Sequence, residues 1–143
     1  MFEWNESFSV DIPLIDQQHK KLFDIGERVY RLIEEDYNNK NFHEIMNLID
    51  ELYKYTKYHF EEEEKIMKFY NFPELNIHRH EHNKFIEYLD DIRIGEIAKE
   101  EDSALNDLIS FIASWIVRHI GSVDVKYKEY IMKKNNRFFD FKS

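Results

Sequence analysis

His59 and Glu63 lie four residues apart, and so do His78 and His82. Four residues turn an α-helix by about 400°, so each pair sits on one face, a turn apart. Between the pairs, Tyr70-Asn71-Phe72-Pro73 signals a turn, and the proline cannot continue a preceding helix. Two helices that reverse there bring three imidazoles and a carboxylate together. Such a donor set suits a metal ion.

The elements that must carry these residues are helical. Only three Gly and two Pro occur in 143 residues, while 43% of the chain is apolar, with twelve Phe and nine Tyr. Apolar residues recur at helical spacing over 16–37, 41–69, 74–95 and 103–121, and a shorter helix follows over 123–134. Asp16 and Ser103 are candidate N-caps, and Asn41 with Glu44 resembles a capping box. Residues 1–15 read as an extended arm whose Trp4, Phe8, Val10 and Ile12 pack on the body. The expected fold is all-α, an up-down-up-down four-helix bundle with this N-terminal arm and a short C-terminal helix, in a single domain over 1–143.

In such a bundle the starts of the first and third helices share an end with the finishes of the second and fourth. His19 is near the first start and His119 near the fourth finish. The His59/Glu63 pair is centred about 12 Å of rise before its helix ends, and the His78/His82 pair about 9 Å after its helix begins. The four levels agree to within about a turn. Asp124 is the awkward member, because five residues after His119 places it about 140° away on a regular helix. Gly121-Ser122 intervenes, and the expectation is a distortion there that turns Asp124 back to the site.

Composition excludes several chemistries. With no Cys there are no thiolate zinc sites, iron–sulfur clusters, disulfides or cysteine nucleophiles. A net charge of −9 without a Lys/Arg cluster argues against nucleic acid and anionic membrane as partners. No leader opens the chain and no apolar run nears a membrane span, so a soluble, cytoplasmic protein is expected. Glu-x-x-His and His-Glu-x-x-His, the patterns of ferritin-like di-iron oxidases and of zinc proteases, are both absent.

Together, these elements resemble the hemerythrin family, and within it the single-domain bacterial hemerythrins. The likeness covers nearly the whole chain: the Phe2-Trp4-Phe8 arm, Ile-Asp-Gln-Gln-His ending at His19, and His-Phe-x-x-Glu from His59 to Glu63. It continues with His-x-x-x-His from His78 to His82 and Trp-x-x-x-His-Ile-x-x-x-Asp from Trp115 to Asp124. The resemblance implies two iron ions with an oxo or hydroxo bridge. His78, His82 and His119 would hold one iron and His19 and His59 the other, with Glu63 and Asp124 bridging. Five histidine donors, four carboxylate oxygens and two bonds from the bridge make eleven of the twelve positions two octahedral ions need. The open position, on the iron with two histidines, would take dioxygen.

Blander readings apply elsewhere. The Glu61–Glu64 run is read as a mostly solvated face apart from Glu63, and Glu62 is the rival for its role. His80 and His43 are expected at the surface, and Trp4 and Trp115 are read as packing residues. Reversible dioxygen binding for storage, delivery or scavenging is the first functional reading. The rivals are an oxidase or peroxidase fed by a redox partner protein, and an oxygen sensor; sensors of this family are usually fused to signalling domains, for which this chain has no room.

Overall fold

The structure, a computed structural model, describes residues 2–35, 42–92 and 102–140. Five α-helices carry the described residues: α1 (Pro13–Glu35), α2 (Phe42–Phe69), α3 (Leu75–Asp91), α4 (Asp102–Arg118) and α5 (Asp124–Asp140). A π-helical segment, His119–Val123, joins α4 to α5 without a break. Among the described residues there is no strand. α1 packs on α2 and α4, and α2 on α3. The start of α1 meets the later part of α2, the start of α3 and the finish of α4 around one buried centre. This is an up-down-up-down bundle.

The local chemistry explains the boundaries. α1 begins at Pro13, three residues before the expected start, because proline is preset for the first turn. Asp16 is therefore not an N-cap. It lies inside the first turn and reaches back: Oδ1 accepts the Val10 N–H at 2.8 Å and Oδ2 accepts the Ser9 hydroxyl at 2.6 Å. The arm that it holds is not wholly extended, since Asn5 caps a 3-10 turn over Glu6–Phe8. The Phe2 ring packs against Gly26, where a Cβ would come within 2.7 Å of it.

α2 stops at the expected turn. Asn71 adopts φ 55°, Phe72 N–H donates to Met67 O at 2.9 Å and Asn71 N–H to Lys68 O at 3.1 Å. This is the Schellman pattern, and Phe72 and Met67 lie in one buried apolar cluster. Ser103, expected as an N-cap, lies within α4. α5 runs to Asp140 rather than 134: no Gly or Pro interrupts it, and each Asn costs only a few tenths of a kcal/mol in a helix. The finish of the first helix at 37, the Asn41 capping box and the finish of the third near 95 fall outside the described residues.

One expectation from hydropathy is corrected. Asn106–Lys133, continuous through the π segment, is long and apolar enough by length and composition to cross a membrane. In this fold Leu108, Ile112, Ile116 and Ile120 of that stretch are buried in the bundle core.

Candidate metal centre

Each of the seven expected side chains reaches one buried centre. His19, His59, Glu63, His78, His82, His119 and Asp124 are all no more than 3% exposed. His19 comes from the second turn of α1, His59 and Glu63 from α2, and His78 and His82 from the first two turns of α3. The expected distortion is the π segment itself. Its Asp124 N–H donates to the His119 carbonyl, five residues back, and a π turn brings positions five apart onto one face. Asp124 is thereby buried beside His119 instead of facing solvent. Phe8 of the arm covers this segment, and a Cβ on Gly121 would lie 3.2 Å from its ring.

All five histidines present Nε2 to the carboxylates. Glu63 Oε2 is 3.1 Å from His59 and 3.2 Å from His19, and Glu63 Oε1 is 3.2 Å from His82 and 3.6 Å from His78. Asp124 Oδ1 is 2.7 Å from His78 and 3.2 Å from His119, while Oδ2 is 3.2 Å from His19. The donor atoms form two groups, His19/His59/Glu63 and Glu63/His78/His82/His119/Asp124, each within 4.8 Å of one another. Glu63 belongs to both groups. Asp124 Oδ2 also touches His19, so both carboxylates reach across.

In the metal-free protein these groups balance one another's charge. Burial opposes protonation of His19 and His78, but Asp124 and Glu63 outweigh it and push them up to about 9 and about 10. His119 is raised against burial by Asp124 first. Burial dominates at His59 and lowers it. Burial would raise Glu63 and Asp124, yet the surrounding imidazoles hold both carboxyls below their ordinary range.

Around the centre stand residues that spacing did not reveal. His59 Nδ1 bonds Gln18 Oε1 at 2.6 Å, His82 Nδ1 bonds Glu64 Oε2 at 2.9 Å, and His119 Nδ1 bonds Glu81 Oε2 at 3.2 Å. Glu64, read from sequence as part of a solvated face, is clamped by Arg79 at 2.8 Å. Tyr127 donates to Glu63 at 3.0 Å. Phe60 stacks on His82 with centroids 3.8 Å apart, and Trp115 on His119 at 4.3 Å, so Trp115 does more than fill the core. His80 and His43 are exposed, as expected. Glu62 pairs with Lys65 at 3.6 Å and belongs to neither donor group.

The donor set fits a metal. Among the described residues, Glu63 Oε1 and Asp124 Oδ2 are buried without a hydrogen-bond partner, their approaches to imidazole being poorly aligned for one. His82 and His119 face each other Nε2 to Nε2 at 2.9 Å. Two ring lone pairs repel at that distance unless a proton or a cation lies between them, and nitrogen with carboxylate oxygen is a donor mixture that binds divalent transition metals. A family model, the hemerythrin HHE cation binding domain, matches residues 10–131. The chain belongs to the hemerythrin family. It is 33% identical over 127 residues to a bacteriohemerythrin of Clostridium acetobutylicum, covering 89% of this chain and 98% of that one. A hemerythrin-like protein of Naegleria gruberi is 30% identical over 89% of this chain and 91% of its own. A crystal structure of wild-type hemerythrin superposes with a TM-score of 0.74 at 25% identity, covering 89% and 95% of the two chains. Within the hemerythrin family, this chain therefore carries a His/Glu/Asp cluster able to bind metal.

Proposed function

We propose that the chain holds two iron ions through these seven side chains and binds dioxygen reversibly at the pair, for storage, delivery or scavenging. The carrying observation is the division of the donor atoms into two groups that share Glu63, with carboxylate oxygens that have no hydrogen-bond partner among the described residues. His78, His82 and His119 would hold one ion, and His19 and His59 the other. Glu63 and Asp124, each touching histidines of both groups, would bridge them. The bound iron pair would supply the electrons and the open coordination position that dioxygen requires.

The chain's own residues do the rest. Nδ1 bonds to Gln18, Glu64 and Glu81 fix three imidazole rings with Nε2 turned inward. Phe60 and Trp115 lie flat on two of those rings and keep water from that side. Excluding water and protons favours release of dioxygen unchanged over loss of its reduced forms. No side chain need act as acid or base.

Anaerobic titration of the metal-free protein with ferrous iron tests the metal half of this reading. Saturation at two ions per chain is expected. Saturation at one, or no binding, contradicts it.

A further inference from the structure

The two donor groups differ on their outward side. In the group of three histidines, the Nδ1–H of His82 donates to the Glu64 carboxylate at 2.9 Å, and that of His119 to the Glu81 carboxylate at 3.2 Å. Arg79 orients Glu64 through a bond of 2.8 Å. In the group of two, His59 donates to the neutral amide oxygen of Gln18 at 2.6 Å. His19 Nδ1 is buried with no hydrogen-bond partner among the described residues. With every Nε2 turned to the centre, Nδ1 carries the ring proton. A carboxylate acceptor then draws on that proton more strongly than an amide does, and makes the ring a stronger donor at Nε2.

Stronger donors stabilise the higher charge of a metal ion. The geometry points to Glu64 and Glu81 as positioning residues that make the ion held by His78, His82 and His119 the easier of the two to oxidise. This rests on the proposed di-iron reading and deepens it. Each ion gives up one electron in passing from ferrous to ferric, and the carboxylates set the order: the three-histidine ion first, the two-histidine ion second. The order leaves the ion of the open position ferrous until the last electron moves.

Iron-loaded protein, reduced and then titrated with the one-electron oxidant ferricyanide, tests this by redox midpoints and Mössbauer spectra. Each ferricyanide accepts one electron and becomes ferrocyanide as one ferrous ion becomes ferric. In the wild type the first ferric signal should belong to one ion alone. In Glu64→Gln with Glu81→Gln, the first midpoint should rise by about tenfold in the equilibrium, or about 59 mV for one electron, while the second stays in place. Glu81→Asp, which keeps the charge, should restore part of the shift relative to Glu81→Gln. Two bound irons with unmoved midpoints overturn the inference, as do equal shifts of both steps. Weaker iron binding without a change of midpoint also overturns it, because the carboxylates would then be merely structural. A wild-type chain that binds fewer than two irons overturns this together with the proposed function, and is read before any variant.

Discussion

Tyr127 donates its hydroxyl to Glu63 Oε2 at 3.0 Å, tying α5 to α2 across 64 residues. Burial pushes the phenol well above its usual pKa, and the charges of Glu63 and Asp124 add to the effect, so it stays a donor. α5 is thereby anchored to the centre and not only to the core. Tyr127→Phe should destabilise the metal-free protein by about 1.5 to 3 kcal/mol, the range for a hydrogen bond to a charged group, as measured by urea unfolding. It should leave two irons bound, because no donor atom is removed.

Glu63 and its neighbour Glu62 separate the proposed bridge from the surface. Glu63 is fully buried among imidazoles, whereas Glu62 faces Lys65 and solvent. Glu63→Gln should lower bound iron below two per chain, and Glu62→Gln should leave it unchanged. An iron assay on desalted protein reads both. The reverse pattern would move the bridge to Glu62.

Much of this centre was legible in the sequence because helical rise and rotation are nearly invariant. Spacing alone put His59 with Glu63 and His78 with His82, and antiparallel packing brought His19 and His119 to their level. The π segment was foreseen only as some distortion, signalled by the mismatch of Asp124 with a regular helix. Gln18, Glu64 and Glu81 were missed for a physical reason. Each lies next to a candidate ligand in sequence and so about 100° round the helix from it, where a charged or polar residue reads as solvated. Only side-chain length and the ring orientation of a histidine on a neighbouring helix bring them in. Tyr127 was missed because the course of α5 depends on the π segment before it. The early start of α1 shows proline prevailing over Asp16 as the helix start.

The metal-free protein should lose stability in alkali. His19 and His78 titrate at about 9 and about 10 when folded, against 6.5 as the ordinary value. The folded state therefore keeps protons that the unfolded chain has released. Their stabilisation is whole below about pH 6.5 and is lost as pH rises through the folded values. Glu63 and Asp124, held below their ordinary range, lose theirs on acidification, and the lowered His59 opposes folding below about pH 6.5. Tm of the metal-free protein should fall between about pH 6.5 and 10. The iron-loaded protein should fall less, since metal replaces the protons. A flat metal-free curve over that range would contradict the charge balance described for the centre.

The close approach of Phe2 to Gly26 fixes how the arm lies on α1. Gly26→Ala places a Cβ within 2.7 Å of the ring and should cost about 1 to 3 kcal/mol by overpacking. Phe2→Ala removes the obstacle at its own cost in burial. A double-mutant cycle by urea unfolding should show the pair less destabilised than the sum of the singles. Strict additivity would mean that the ring moves aside freely.

The central claim is reversible dioxygen binding at two irons held by seven side chains. The direct measurement is an oxygenation cycle on the iron-loaded protein, reduced without air, with iron assayed and visible absorption followed. Two irons per chain are expected, with a visible band that appears on admission of air and vanishes under vacuum over repeated cycles. Fewer than two irons, or a band that does not reverse, contradicts the account.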